Sequence, residues 1–320
     1  MGAETQALAN IAELLQISWK TRKNARRANP LIVVGAPRSG TTLMTALLTN
    51  LPGAMKMIPE ASFLVPILET YRKCLLLDER NDRAFFGGPA GVRRHFSNCI
   101  NGIVSEIRTQ NGGEFAVLKA PILSKFVGDI LALLPDAQVI CMVRHPVAVM
   151  RSMRSWGQKA AAAGRDHAYA SATNAEIYAL IRSYYSSPLA IRDRLIADRL
   201  LFVRFEDLVM RSPAVVQDVL ALSGRPNADL DFSDPYRNST IDFSAVVDER
   251  ADAVTEFFGA PVDPGRAEQP VNYADAEIAE ANAGCPQLLP YFYRDWRGQT
   301  AQTAPTGSSI PAAIRGASSK

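Results

Sequence analysis

With 320 residues, 48% of them hydrophobic, the chain has enough apolar material for a large core, which excludes a globally disordered protein. The 35 Lys and Arg against 32 Asp and Glu leave a net charge of +3. That balance is too even for charge alone to drive binding to nucleic acid, so none is expected as a partner, and useful basic character has to be local.

The first 30 residues read as an amphipathic helix (Leu8, Ile11, Leu14, Leu15, Ile17) and a basic loop. No apolar span there is long enough for a signal peptide or a membrane helix, so a cytoplasmic chain without an integral membrane segment is expected. A single domain is expected over 31–299, its C-terminal part a less regular cap, followed by a disordered Ala, Thr, Ser, Pro and Gly tail over 300–320. Cys74, Cys99, Cys141 and Cys285 are scattered with no C-x-x-C pair, which argues against a disulfide or metal framework.

Within the expected domain, Leu31 to Val34 is an apolar strand, and Leu43, Met44, Leu47 and Leu48 have helical spacing directly after it. A helix-like segment runs through Leu68 and Tyr71. Asp78 to Arg83 reads as a solvated turn, Phe85 to Pro89 as a break, and a helix runs from about Val92 to the Asn111-Gly-Gly113 turn. Phe115 to Leu118 is a short buried strand ending at Lys119, followed by a helix with Phe126, Ile130, Leu133 and Leu134 on its apolar face. Gln138 to Val143 is continuously apolar, as a central parallel strand requires. Helices are expected over 146–163, Ile177 to Leu195 and Ala214 to Leu222, with a strand at Leu200 to Val203. Strands alternating with helices at this spacing predict an α/β fold with right-handed crossovers and helices on both faces of a parallel sheet.

The stretch Gly35-Ala-Pro-Arg-Ser-Gly40-Thr-Thr joins the first strand to its helix. A glycine loop in that place aims several backbone N–H groups, and the positive end of a helix dipole, at one tetrahedral anion. The spacing Gly35-x-x-x-x-Gly40 is that of the nucleoside-triphosphate P-loop, but Thr41 stands where that loop has lysine, and Arg38 lies inside the loop. Two further strand ends carry cations: Lys119 in Leu-Lys-Ala-Pro, and Arg144 in Val-Arg-His-Pro-Val-Ala-Val-Met-Arg-Ser152. A strand-end residue and one on the following helix can meet in the crevice where open α/β sheets bind ligands. Each segment also has a plain structural alternative: a glycine turn, a surface lysine, or an arginine paired with a carboxylate.

PRSGTTLM resembles the 5′-phosphosulfate loop of sulfotransferases that use 3′-phosphoadenosine 5′-phosphosulfate (PAPS), closest to the branch of tyrosylprotein and bacterial small-molecule enzymes. The resemblance spans about Leu31 to Gly224 and implies a P-loop-like, three-layer α/β/α fold around a central parallel sheet. It implies that Pro37, Arg38, Ser39, Gly40, Thr41 and Thr42 hold the 5′-phosphosulfate, and that RHPVAVMRSMRSW places Arg144 and Ser152 on the 3′-phosphate. Lys-x-Pro resembles the segment whose lysine contacts the sulfuryl or bridging oxygens, which gives Lys119, with Arg38, the role of stabilising the transferred group. Glu60, in Ile-Pro-Glu-Ala-Ser62, resembles the catalytic glutamate; His145, His95 and His167 are the other candidates for a general base. Arg237 and Ser239, in Tyr-Arg-Asn-Ser-Thr240, lie where family members close over the donor. Glu206 and Asp207 read as helix-start structure, Arg151 and Arg154 as facing solvent or the acceptor mouth, and Tyr291 to Trp296 as a helix packing on the core.

The implied activity is sulfuryl transfer from PAPS to a hydroxyl of a small molecule, carbohydrate or peptide, with adenosine 3′,5′-diphosphate (PAP) as product. No acidic metal-binding motif follows the second strand, so no metal is expected. A homodimer is left open. Two alternatives stand beside this: a small-molecule kinase of the P-loop class, which the missing lysine disfavours, and a nucleotide-binding module without catalysis.

Overall fold

The computed structural model describes residues 30–77, 79–241, 260–267 and 273–293. The expected N-terminal helix and C-terminal tail lie outside them. Four parallel strands form one sheet in the order β2-β1-β3-β4: β1 Leu31–Gly35, β2 Val117–Lys119, β3 Gln138–Val143 and β4 Leu200–Arg204. β1 pairs with β2 on one side (Val33 opposite Lys119) and with β3 on the other (Gly35 opposite Met142).

Alternate residues of each strand enter two different cores, which is why the strands are apolar throughout instead of every second residue. Ile32, Val34, Leu118, Val139, Cys141 and Val143 face the larger core, built with α2 (Leu64–Leu75), α4 (Pro89–Gln110), α5 (Val127–Leu133), α6 (Pro146–Ala162) and α8 (Asn174–Ala190). Leu31, Val33, Val117, Ile140, Met142 and Val203 face the other, closed by α1 (Thr41–Thr49), α10 (Phe205–Val209) and α11 (Pro213–Leu222). Helices on both faces of a parallel sheet, with a glycine loop between its first strand and first helix, make the P-loop-like three-layer fold.

Strand order decides where a ligand goes. The chain leaves β1 towards β2 and leaves β3 towards β4, in opposite directions, so the crevice opens at the carboxyl ends of β1 and β3. Gly35 to Gly40, Lys119 and Arg144 all lie along that rim.

Several elements differ from expectation. Glu79 to Arg83 is not a turn: α3 runs Glu79–Phe86, since Glu, Arg and Ala are good helix formers, and Asp78 lies outside the described residues. The break comes at Gly87 and Gly88, both at positive φ, with Pro89 opening α4. β2 starts at Val117, because Phe115 bridges Ala54 instead. The helix after it opens as a 3-10 segment, Pro121–Phe126. α8 starts three residues early, where Thr173 and Glu176 form a reciprocal capping box, and ends at Ala190 just after Pro188. The short helices α7 (Ala168–Ser171) and α9 (Arg194–Ala197) flank it. Beyond residue 226 the described chain carries one short 3-10 turn, Pro264–Arg266, before α12 (Asp275–Gly284) and α13 (Leu288–Phe292).

Tyr185 on α8 ties the larger core to the sheet. It is buried, and its hydroxyl donates to the Met142 carbonyl (3.0 Å) while accepting from the Ala36 N–H (3.4 Å). Tyr185→Phe keeps the ring and orphans both backbone groups, so it is expected to destabilise by about 1–3 kcal/mol. Urea unfolding measures this; an unchanged midpoint would mean that the hydroxyl holds nothing.

Candidate active site

The loop after β1 is shaped by backbone conformations that few residues tolerate. Gly35 has φ 142 and Gly40 has φ 94. A side chain at Gly35 would collide with the Met142 carbonyl and Ser39 Oγ, and one at Gly40 with the Phe205 ring. Arg38 itself sits in the left-handed region at φ 70, a strain of about 1 kcal/mol or more that ordinary loops avoid. Around it the loop is closed by its own atoms: the Ser39 N–H and Oγ both donate to the Ala36 carbonyl (3.2 and 2.7 Å). The Gly35 N–H donates to Ser124 Oγ at 2.7 Å. Ser39 is therefore buried structure within the loop, while Pro37 is half-buried at its turn.

Helix α1 begins at Thr41 with Gly40 as its N-cap, without a side-chain cap and without an acid in its first turn. Its leading N–H groups thus keep the unsatisfied donor capacity that an anion can use. Thr41 is buried and Thr42 half-buried on that turn.

Two clusters of charge flank this helix end. In the first, Lys119 Nζ donates to Thr42 Oγ1 (3.2 Å) and to Glu60 Oε1 (2.9 Å). The lysine side chain is 9% exposed and the glutamate 25%. Residues 59 apart in the chain meet because the Ala61 N–H donates to the Lys119 carbonyl, which pins the Glu60 segment to the end of β2.

In the second, Arg38 Nε donates to Ser152 Oγ (3.1 Å), and Arg144 Nη1 donates to the Arg38 carbonyl (3.3 Å). The Arg144 guanidinium lies over the Phe205 ring, 4.5 Å from its centre. Burial lowers the Arg38 pKa and the nearby Arg144 lowers it further, opposed by Tyr169. Two guanidiniums are thus packed close together, an arrangement whose charge suits an anion.

The other expected residues are placed elsewhere. Arg237 pairs with Asp231 at 2.6 Å on an exposed surface. Ser239 bridges Met57, and its Oγ accepts from the Ile241 N–H (3.1 Å). Their neighbour Asn238 donates to the Thr49 carbonyl, at the end of α1 opposite the glycine loop. Arg151 does not face solvent alone: it forms a two-pronged pair with Glu277 of α12 (3.0 and 2.8 Å). Arg154 is committed to the Ala172 carbonyl and Asn174 Oδ1, both 2.8 Å.

Of the histidines, His95 is exposed on α4 against Phe86, and His167 caps α7 with Nδ1 accepting from the Tyr169 N–H (3.2 Å). His145 is buried between Tyr273 and Tyr293, and its Nδ1 accepts from the Val147 N–H (3.3 Å). Glu206 and Asp207 are structural as expected. Glu206, 3% exposed, accepts from the His145 N–H and the Tyr293 hydroxyl, both 3.0 Å, and Asp207 pairs with Arg204. The packing of Leu288, Leu289 and Phe292 on the core also agrees; Arg294 to Trp296 lie outside the described residues.

Sequence reasoning missed three contributors. Ser124 and Phe205 hold the loop, and their roles depend on the sheet order, which no local pattern encodes. Tyr169 approaches Arg38 from α7, in a segment without clear periodicity.

A sequence profile of the sulfotransferase family matches residues 30–229. The chain belongs to the sulfotransferase family. Among curated proteins, none matches. Among solved structures, the sulfotransferase domain from the Synechococcus PCC 7002 olefin synthase is similar at 22% identity and a TM-score of 0.49, covering 81% of this chain and 95% of that one. The sulfotransferase domain from the curacin biosynthetic pathway has 16% identity and a TM-score of 0.49, covering 79% and 95%. Sulfotransferase STF9 from Mycobacterium avium has 17% identity and a TM-score of 0.43, covering 79% and 85%. Among the described residues of this family member, no group of three or more His, Cys, Asp and Glu is arranged to hold a metal ion. No described helix is long and apolar enough to cross a membrane.

Burial pushes the His145 pKa down from 6.5 to about 4. The unfolded chain takes up that proton first, so this contribution to stability is complete above about pH 6.5 and is lost as the pH falls towards 4, up to about 3 kcal/mol. Glu206, raised by burial, acts in the opposite direction in any variant that keeps it. His145→Asn retains a capping acceptor, so its urea stability is expected to fall less than wild type between pH 6.5 and 4. Parallel profiles would remove the assignment.

Proposed function

We propose that this chain transfers the sulfuryl group of PAPS to a hydroxyl acceptor, a small molecule, carbohydrate or peptide, releasing PAP. The observation that carries the reading is the meeting of cations from three strand ends, Arg38, Lys119 and Arg144, around an uncapped helix N-terminus, with one carboxylate, Glu60, held against Lys119. A donor with two separate anionic groups needs two positive subsites. The Gly40–Thr42 turn with Lys119 suits the 5′-phosphosulfate, and Arg144 with Ser152 suits the 3′-phosphate.

In this reading Glu60 removes the acceptor's proton as the acceptor oxygen bonds to sulfur and the bond from sulfur to the bridging oxygen breaks. Lys119 and Arg38 stabilise the charge that builds on the sulfuryl and bridging oxygens. One well-aimed donor of that kind is worth about 3 kcal/mol in the transition state. The 2.9 Å contact between Lys119 and Glu60 supports the pairing of roles, since the base and the electrophilic cation must both reach the transferring group. The three cations supply positive charge that a P-loop kinase takes from its loop lysine and a divalent ion, so the proposal carries no metal requirement. Arg237 and Ser239 remain proposed donor contacts only if their segment moves, since Arg237 is paired with Asp231 here.

Transfer of labelled sulfate from PAPS to an acceptor panel, in the presence of a chelator, tests the activity. Glu60→Gln is expected to lower turnover by roughly 100-fold or more, the usual scale of general-base catalysis. PAP affinity in that variant is expected to be unchanged or higher, because Lys119 loses its neutralising partner. Wild-type turnover in the variant would remove Glu60 from the role. Strong ATP binding with no PAP binding, or turnover that requires magnesium, would favour the kinase instead.

A further inference from the structure

We infer that the corner Phe205-Glu206, completed by Tyr293, is the positioning device that sets how firmly the site holds the second anionic group of its nucleotide. The inference rests on the reading of Arg144 as the residue that takes that group.

The corner stands where β4 ends. Because Val143 is opposite Arg204 in the sheet, residues 205 and 206 lie beside residues 144 and 145. Phe205, 6% exposed, lies with its ring under the Arg144 guanidinium and against Gly40, so one side chain touches both anion-binding loops. Glu206 commits one carboxylate oxygen to the His145 N–H, the backbone group directly after Arg144, and the other to the Tyr293 hydroxyl. Tyr293 also packs its ring edge-on against the His145 imidazole, 5.0 Å between centres.

Filling space would not require a carboxylate there. A buried carboxylate costs several kcal/mol of desolvation unless its oxygens are satisfied, and an apolar side chain would pack at less cost. What the carboxylate adds is direction: it fixes the peptide that aims Arg144. Tyr293 is 87 residues further along the chain and lies beyond the 30–229 span that matches the family. Its own position is fixed by Arg204, which pairs with Asp207 and donates to the Phe292 carbonyl at 3.1 Å. The C-terminal segment thereby reaches the rim of the sheet through the Glu206 carboxylate, steadied by Arg204.

The test compares PAP with adenosine 5′-monophosphate, which lacks the second anionic group, by calorimetry on the full chain. Tyr293→Phe keeps the ring that packs on His145 and deletes only the donor to Glu206. It is expected to weaken PAP binding by roughly tenfold, the scale of one hydrogen bond to a charged group, with the monophosphate changed less than about twofold. In turnover the loss should appear in the KM for the donor and not in kcat. Glu206→Gln is expected to weaken PAP in the same selective way. If both variants keep the wild-type ratio of PAP to monophosphate affinity, or if both nucleotides weaken equally, the inference is overturned. If Glu206→Gln does not fold, Tyr293→Phe alone decides. A wild-type protein that fails to prefer PAP over the monophosphate would instead overturn the reading of Arg144, which keeps the two failures distinct.

Discussion

The site depends on holding two arginines where their charges oppose each other. β1 and β3 are neighbours, and the loop after one and the residue after the other must share the crevice between them. That brings Arg144 onto the Arg38 carbonyl and into electrostatic range of its guanidinium, at a half-buried position where like charges are screened less than in water. Nothing local favours this. It is imposed by the sheet register, by two apolar cores, and by the aromatic face of Phe205 beneath Arg144. Folding therefore stores an electrostatic deficit, and on the proposed reading an anion bound there would relieve it, making the relief available as binding energy.

The Lys119 end is arranged differently. Its ammonium is nearly buried and is balanced by Glu60, so this part of the rim is close to neutral. A buried ion pair adds little stability, because desolvation offsets the attraction. On the proposed reading its value is functional: each partner holds the other in place, and the pair opens when a better anion meets Lys119. The rim then has polarity, with surplus positive charge at Arg38 and Arg144 and a self-compensated acid–base pair at Lys119 and Glu60.

Much of this was legible in the sequence because it is local. An apolar run, a glycine loop and a helical repeat over Leu31 to Thr49 specify strand, turn and helix with no help from distant residues. Gln138 to Val143 matched its strand residue for residue for the same reason. The contact of Lys119 with Glu60 could be placed only by resemblance, since it depends on β2 lying outside β1, and strand order leaves no trace in alternation. Phe205 is similar: nothing in Val-Arg-Phe-Glu-Asp shows that its ring touches two other strand ends. The pairing of Arg237 with Asp231, six residues earlier, was not read from the sequence, because both lie in a stretch without helical or strand periodicity. The charged run after Asp78 misled because polar character was equated with a turn, although Glu and Arg propagate a helix well until glycine stops it.

Helix α1 shows how stability and chemistry compete in one element. Leu43, Met44, Leu47 and Leu48 are all buried, so the helix is anchored by packing without an N-cap. A Ser or Asp at its N-cap would ordinarily add about 1 kcal/mol. Gly40 stands there instead, for two separate reasons. Its φ of 94 and the Phe205 ring against it leave no room for a side chain. A capping oxygen, moreover, would fill the very N–H groups that an incoming sulfate or phosphate needs, and a carboxylate would add the wrong charge. The strong apolar face is what lets the helix remain uncapped, and the uncapped end leaves N–H groups of the kind that suit an anion, as the proposed reading requires.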